Sequence, residues 1–185
     1  MQNHMERSFP GSRTLRLTIG DITRVPADVI VNAANSALAG GGGVDGAIHR
    51  AGGPSIMEEL REIRRQIGSC PTGSAVATSA GALPARWIFH AVGPIYRGGE
   101  QGEAELLASC YRTCLQMAEE RKAGSMSFPS ISTGAYAYPV AEAAAVAMEV
   151  VSSRLAQPAA SLKEIVFVLF DRATYEAYSL EFQKW

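Results

Sequence analysis

The amino-acid sequence predicts an α/β fold, because strand-like and helix-like patterns alternate along most of the chain. Two short runs, Val29–Val31 and Ile165–Phe170, are continuously apolar, which is typical of strands buried on both faces of a sheet. Amphipathic stretches lie between them, with apolar residues every three or four positions, as at Ile56, Leu60, Ile63 and Ile67. No internal repeat or low-complexity tract interrupts this alternation, so the α/β class follows.

Length and composition indicate a single globular domain of nearly neutral charge. The chain has 185 residues, 47% of them hydrophobic, and its net charge of −1 argues against a nucleic-acid-binding protein. No run is long enough to span a membrane, and the N-terminal segment lacks the apolar core of a secretory signal. We interpret the three cysteines, Cys70, Cys110 and Cys114, as buried thiols of a cytoplasmic protein. We expect a monomer with no nucleic-acid or membrane partner.

The predicted elements follow one another in a regular order. Residues 1–13 are polar and contain Pro10 and Gly11, so we expect a flexible tail before a domain over residues 14–185. The patterns predict strands at Thr14–Gly20, Val29–Val31, Pro71–Ala80, Trp87–Val92, Ser125–Ile131 and Ile165–Phe170. Helices are predicted after Asp45, from Pro54 to Gly68, over Glu103–Lys122, after Pro139, and through Tyr175, Tyr178 and Phe182. We interpret His90, inside an apolar strand, as a hydrogen-bonded core residue.

The stretch from Asp28 to Gly46 combines a strand, a glycine loop and the start of a helix. Glycines let main-chain N–H groups approach a ligand closely, and a helix start adds unpaired donors, so Gly40–Gly43 predicts an anion-binding loop. Asn32 and Asn35 precede the glycines and Asp45 follows them. A carboxylate would repel a phosphate, so Asp45 is expected to face a different part of the ligand.

A second loop and one aspartate also lie at predicted strand ends. Small hydroxyls and a glycine in Ser132–Tyr136, just before a helix, can form a backbone nest for phosphate, although an ordinary strand-to-helix connection has the same composition. Asp21 ends the first predicted strand. It is interpreted either as a ligand contact or as a turn aspartate that bonds its own backbone.

The glycine spacing also permits a dehydrogenase interpretation, which the surrounding sequence disfavours. Gly41, Gly43 and Gly46 satisfy the dinucleotide-binding pattern, but Asn32–Ala39 separates the glycines from their strand. The acidic residue expected about 20 positions later should end a strand, yet that region is the predicted amphipathic helix.

The motifs together resemble those of the macrodomain family. They are GDIT from Gly20, VNAAN from Val31, GGGGVDGAIH from Gly40, CPTG from Cys70, HAVGP from His90 and STGAYAYP from Ser132. The likeness is to the MacroD-type branch, particularly bacterial O-acetyl-ADP-ribose deacetylases, and it extends from about Leu15 to Tyr178. It implies a three-layer α/β/α fold with a mixed central sheet and ADP-ribose in a cleft at the strand ends.

The resemblance also implies a role for individual residues. Asp21 would take the adenine amino group, the Ile22 backbone would contact the adenine ring, and Phe170 would stack nearby. Gly43 and Val44 would lie along one side of the diphosphate. The other side would be lined by the second loop, which consists of Ser132, Thr133, Gly134, Ala135 and Tyr136. Asn35 and Asp45 would face the distal ribose as the catalytic residues, with Tyr136 packed close to that ribose.

The implied activity is hydrolysis of an ADP-ribose ester. The substrate would be O-acetyl-ADP-ribose, or mono-ADP-ribose attached to a protein aspartate or glutamate, and Asp45 would activate or orient the attacking water. Asn35 offers both donors and an acceptor, so it can orient the ribose hydroxyls. No cofactor and no metal site are expected, and ADP-ribosylated proteins are candidate partners. The alternative is a non-catalytic module that binds ADP-ribose, which would need Asp21 and both loops but not Asn35 or Asp45.

Overall fold

The structure is a computed structural model that describes residues 4–158 and 161–185. Its strands are β1 (His4–Phe9), β2 (Arg13–Ile19), β3 (Val29–Ala34), β4 (Ala75–Ser79), β5 (Trp87–Val92), β6 (Ser125–Phe128) and β7 (Glu164–Leu169). Its α-helices are α1 (Gly43–Gly52), α2 (Ser55–Ile67), α3 (Glu103–Glu120), α4 (Val140–Ala156) and α5 (Arg172–Phe182). A single 3₁₀ turn, Ile22–Arg24, follows β2 within the described residues.

The strands form one mixed sheet in the order β1-β2-β7-β6-β3-β5-β4. The inner strands are parallel, whereas β1 and β4 pair antiparallel with β2 and β5. Helices α3, α4 and α5 cover one face and α1 and α2 cover the other, each over its own cluster of buried side chains. This arrangement confirms the predicted three-layer α/β/α fold with a mixed sheet.

The apolar runs of the sequence are the strands that contribute to both clusters. In β3, Val29 and Val31 pack on the side of α3–α5, while Ile30 packs on the side of α1 and α2. The same alternation holds in β7 for Phe167 and Val168. Because successive side chains point to opposite faces, a strand between two helical layers is apolar at most of its positions.

The N-terminal segment differs from the expectation of a flexible tail. His4–Phe9 forms the edge strand β1, in antiparallel register with β2, and residues 1–3 lie outside the described part of the chain. Met5 and Phe9 pack against the larger cluster, and the Arg7 guanidinium lies 5.1 Å from the Phe182 ring centroid. Pro10 and Gly11 belong to the turn that joins β1 to β2. Their composition therefore marks a hairpin turn and not a tail.

The other differences from the predicted boundaries are small. Helix α3 ends at Glu120, two residues earlier than expected, and β4 begins at Ala75 after a loop at Pro71–Ser74. The composition of Pro158–Ser161 predicts a linker, and residues 159 and 160 within it lie outside the described residues. In the part of the chain that the structure describes, no helix is both long and apolar enough to cross a membrane.

The sheet topology brings several loops to one edge. Strands β2, β7, β6, β3 and β5 run parallel, so the segments that follow them leave from the same edge of the sheet. Ligands of α/β proteins bind at such carboxyl edges. The order of strands sets the order of residues: Asp21 and Phe170 follow neighbouring strands β2 and β7, the Ser132 loop follows β6, and Asn35 follows β3.

Candidate active site

A cleft of about 880 Å³ opens at this edge of the sheet. Every residue that the sequence assigns to substrate binding or catalysis lines it: Asp21, Ile22, Asn35, Gly43, Val44, Asp45, Ser132, Thr133, Gly134, Ala135, Tyr136 and Phe170. The cleft also contains Arg50, Gly93, Asp171 and Thr174, which the sequence did not assign to the site. The structure therefore brings all the predicted residues together, and their individual roles stay predictions.

The glycine loop ends in a helix start that has no side-chain cap. Gly42 is the N-cap of α1, and the first helical hydrogen bond runs from Gly46 N to Gly42 O, at 3.1 Å. Within the described residues, the N–H groups of Gly43, Val44 and Asp45 meet no acceptor. Free donors at the positive end of a helix form an anion site.

The loop after β6 presents a second set of main-chain donors. Ser132 adopts φ = 66°, an uncommon backbone conformation for a residue other than glycine. The turn is closed by Ala137 N to Gly134 O and Tyr138 N to Ser132 O, both 2.9 Å. Over residues 4–158 and 161–185, the N–H groups from Thr133 to Tyr136 have no acceptor, so they are available to an anion.

Gly93, directly after β5, lets this second loop approach the sheet. A Cβ atom at Gly93 would lie 2.2 Å from Ser132 Oγ and 2.6 Å from Ile131 Cγ2. Any side chain there would displace the side chains of Ser132 and Ile131. The glycine of the HAVGP motif is therefore a packing requirement of the second anion loop, which the sequence analysis did not recognise.

Asp45 lies in the first turn of α1 and is only 6% exposed. Its Oδ1 accepts a hydrogen bond from Asn32 Nδ2 at 2.6 Å and lies 3.3 Å from His49 Nε2. Its Oδ2 lies 3.5 Å from the position that a Cβ of Gly41 would occupy, at the wall of the cleft. Oδ1 is thus held by Asn32, while Oδ2 lies at the wall of the cleft.

A chain of buried polar groups continues behind Asn32. Asn32 Nδ2 lies 3.1 Å from His90 Nδ1, and His90 Nε2 lies 2.9 Å from Thr78 Oγ1. The Thr78 hydroxyl in turn lies 2.9 Å from the carbonyl oxygen of Ser79. Asn32 and His90 are fully buried neighbours on β3 and β5.

The protonation of His90 follows from its surroundings. Burial, with a smaller contribution from the nearby His49, lowers the pKa of His90 to about 3, so the ring is neutral. Asn32 Nδ2 can only donate, so His90 Nδ1 accepts and its Nε2–H donates to Thr78. Every donor in the chain Thr78–His90–Asn32–Asp45 therefore has an acceptor. The prediction of a hydrogen-bonded core histidine is confirmed.

Asn35 has a structural contact that the sequence did not predict. Its Nδ2 donates to Gly40 O at 2.9 Å, and its Oδ1 accepts from Ala39 N at 3.3 Å. The side chain thus fastens the start of the glycine loop. Asn35 Nδ2 also lies 3.9 Å from the point that a Cβ atom of Gly41 would occupy, and Asp45 Oδ2 lies 3.5 Å from the same point. The second amide hydrogen of Asn35 therefore lies in the same region of the cleft as Asp45 Oδ2.

The opposite end of the cleft carries Asp21 and Phe170. Asp21 caps the 3₁₀ turn: its Oδ1 accepts from the Thr23 hydroxyl at 2.7 Å and the Thr23 N–H at 3.0 Å. The Thr23 hydroxyl and amide hold the pKa of Asp21 below its usual value. Asp21 is therefore a turn aspartate and also a cleft residue. Phe170 is 86% exposed, an unusual position for a large aromatic side chain.

Three residues behind the cleft had no predicted role in the site. His49 stands four residues after Asp45, and this helical spacing is a signal that could have found it. Asn32 and Thr78 reach His90 only because β3 and β4 flank β5, which no local pattern indicates. Within the described residues, no group of three or more potential metal ligands occurs.

Comparison with known proteins agrees with this geometry. A profile of the Macro domain family matches residues 31–147. A Macro domain-containing protein of Caldanaerobacter subterraneus subsp. tengcongensis is 53% identical over 170 residues, covering 92% of this chain and 96% of the relative. An O-acetyl-ADP-ribose deacetylase of Salmonella gallinarum is 50% identical over 165 residues, covering 89% and 92%.

A solved structure gives the same result for the fold. The Oceanobacillus iheyensis macrodomain with ADP matches with a TM-score of 0.93 and 42% sequence identity, and the match covers 98% of this chain and 95% of that one. The sequence and the fold of this chain are thus both similar to those of macrodomains. The chain belongs to the Macro domain family.

Proposed function

We propose that this chain is a hydrolase of ADP-ribose esters, acting on O-acetyl-ADP-ribose or on mono-ADP-ribose attached to a protein aspartate or glutamate. The observation that carries the proposal is the arrangement of Asp45, with Oδ1 held by Asn32 and Oδ2 left at the wall of the cleft. The name of the Salmonella gallinarum relative, an O-acetyl-ADP-ribose deacetylase at 50% identity, supports the same activity.

The order of the strands suggests how the ligand lies. The second anion loop follows β6, so the diphosphate is expected near the middle of the cleft, between the amides of that loop and those of Gly43–Asp45. Asp21 and Phe170 lie toward β2 and β7, and the reacting end lies at β3. From β2 to β3 are three strand spacings, or about 14 Å. An extended nucleotide with adenine at one end and a ribose at the other suits this span.

Asp45 then has a definite part in the chemistry. A water molecule between Asp45 Oδ2 and the ester attacks the carbonyl carbon, and Asp45 orients it or accepts its proton. The bond between the carbonyl carbon and the ribose oxygen breaks, and the ribose oxygen takes a proton. The acid leaves as a carboxylate, with release of one proton to solvent. Asn35 orients the ribose hydroxyls through the hydrogen that it does not donate to Gly40.

The test is to compare wild type with Asp45→Ala on two readouts. We expect Asp45→Ala to lower kcat for O-acetyl-ADP-ribose by about 10²- to 10⁴-fold, the range for loss of a general base. Its affinity for ADP-ribose, measured by calorimetry, should change by only about threefold, because the anion-binding amides belong to the backbone. Wild-type turnover retained in Asp45→Ala would exclude the mechanism.

The same experiment separates an enzyme from a binding module. A wild-type protein that binds ADP-ribose but hydrolyses neither the acetyl ester nor a glutamate-linked adduct would be a reader. Asn35 would then act only through Gly40 and Ala39, as a brace of the glycine loop.

A further inference from the structure

A second cavity of about 370 Å³ adjoins the cleft. It lies between the glycine loop, the end of α1 and the start of α2, and its lining is Gly40, Gly41, His49, Arg50, Gly53, Pro54 and Met57. Gly41 and Arg50 line both the cleft and this cavity. The two spaces are therefore separated by no more than the glycine loop and one arginine side chain.

The second cavity lies at the reacting end of the cleft. His49 in its wall lies 3.3 Å from Asp45 Oδ1, and the Cβ position of Gly41 lies 3.5 Å from Asp45 Oδ2. Neither Asp21 nor Phe170 borders it. We expect this cavity to be within reach of a group that projects from the ester at Asp45, away from the nucleotide.

Arg50 supplies the charge of this region. A Cβ atom at Gly46 would lie 3.0 Å from Arg50 Nη1 and 2.7 Å from the Gly41 carbonyl oxygen. Both atoms can come this close to α1 because Gly46 has no side chain. Over residues 4–158 and 161–185, Arg50 is exposed, has no carboxylate within 4.0 Å, and is the one basic residue that lines the cleft.

We propose that the second cavity and Arg50 form the subsite for the acid half of the ester. This assignment rests on the hydrolase function proposed above. Attack of water puts negative charge on the carbonyl oxygen, and the product acid is a carboxylate, which a guanidinium binds through paired N–H donors. The ester substrate is uncharged at this point, so Arg50 interacts more strongly as the reaction proceeds.

The size of the cavity favours an acid larger than acetate. The volume of about 370 Å³ is many times the roughly 30 Å³ that one water molecule takes in the liquid, whereas acetate has only four non-hydrogen atoms. Pro54 and the partly buried Met57 give it an apolar wall, which suits methylene groups. The class of acid that fits is a short aliphatic carboxylic acid such as a glutamate side chain.

The experiment uses Arg50→Gln and Arg50→Lys, with Arg65→Gln as the matched control. Arg65 lies on α2, is 74% exposed in its ion pair with Glu62, and borders neither cavity. Loss of a charge-assisted pair predicts a fall of about tenfold in kcat/KM for the ester in Arg50→Gln. We expect a smaller fall in Arg50→Lys, wild-type behaviour in Arg65→Gln, and unchanged ADP-ribose affinity in all three.

A second measurement does not depend on turnover. Butyrate and acetate are titrated into protein saturated with ADP-ribose, at constant ionic strength with chloride as the reference anion. We expect butyrate to bind more tightly than acetate in wild type, and Arg50→Gln to weaken both by about tenfold. If wild type binds these acids but hydrolyses no ester, the proposed activity fails while the subsite stands.

Two results would overturn the subsite. A fall in ADP-ribose affinity that equals the fall in kcat/KM would assign Arg50 to the diphosphate. Acid binding and ester turnover that are both unchanged in Arg50→Gln would show that the cavity takes no part of the substrate.

Discussion

The two ends of the cleft hold their carboxylates in opposite ways. Asp21 is exposed, and its partners lie within the next three residues: Thr23 donates to Oδ1, and the Arg24 guanidinium lies 3.7 Å from Oδ2. Asp45 is buried, and a line of hydrogen bonds ties it to Asn32 on β3, His90 on β5 and Thr78 on β4. One carboxylate depends on its own turn, whereas the other depends on three strands of the sheet.

This difference matches the two tasks proposed for the ends. A contact to an adenine amino group needs only an available acceptor, and solvent screening limits its contribution. A carboxylate that directs a water molecule needs a fixed orientation, because small displacements of reacting groups are costly. A buried network supplies that orientation, but it leaves costly unpaired groups when one member is lost. Substitutions at the buried end should therefore have larger effects than those at the exposed end.

The largest effect should be on stability in acid, through His90. Its pKa of about 3 lies below the ordinary 6.5, so the unfolded state takes up a proton that the folded state does not. The stability that this provides is present above about pH 6.5 and is lost as the pH falls. The free energy of unfolding should fall by about 2 kcal/mol between pH 8 and pH 5, at about 1.36 kcal/mol for each pH unit below the unfolded-state pKa.

Denaturant titrations of wild type and His90→Gln over this pH range measure the effect. All other titratable groups are the same in the two proteins. The difference between their two slopes of unfolding free energy against pH therefore isolates the contribution of His90. Ring NMR signals of His90 that move between pH 5 and 7 would contradict a buried neutral ring.

The next effect should be on turnover, through Thr78. Thr78→Val keeps the shape of the side chain but leaves His90 Nε2–H without its acceptor, so the ring and Asn32 lose a fixed orientation. We expect kcat to fall by about tenfold, as for other groups that orient a catalytic residue indirectly, with ADP-ribose affinity unchanged.

Thr78→Ser retains the hydroxyl and should restore kcat, which marks Thr78 as a positioning residue. A purely structural residue would shift the melting temperature without a selective loss of kcat measured well below it. Equal kcat in Thr78→Val and wild type would mean that the buried chain does not orient Asp45.

The buried chain is also what local sequence patterns could not predict. The glycine loop with Asp45 is one continuous stretch of sequence and the second loop is another, and the donors of each follow from helix starts and turn chemistry. Asn32, His90 and Thr78 meet only because β3 and β4 lie on either side of β5. That order is set by packing across the whole sheet. In the same way, β1 is a polar edge strand whose pairing with β2 leaves little hydrophobic signal.

The smallest effect should come from the exposed end. Asp21→Ala removes the proposed acceptor for the adenine amino group, so ADP-ribose affinity should fall by about five- to tenfold, the range of an ordinary hydrogen bond, because solvent screens the exposed charge. Because Thr23 is only two residues from Asp21, the 3₁₀ turn is expected to loosen locally without reaching β3. The value of kcat at saturating ester should stay at the wild-type level.

Asp21→Asn separates charge from hydrogen bonding at this end. An amide oxygen still accepts from the adenine amino group, so its affinity should lie between those of Asp21→Ala and wild type. Thr23 keeps the pKa of Asp21 below its ordinary value, so wild-type affinity should be constant from about pH 8 to pH 5. A loss of kcat in Asp21→Ala as large as that in Thr78→Val would remove the distinction between the two ends, because it would show that the exposed carboxylate also positions the reacting groups.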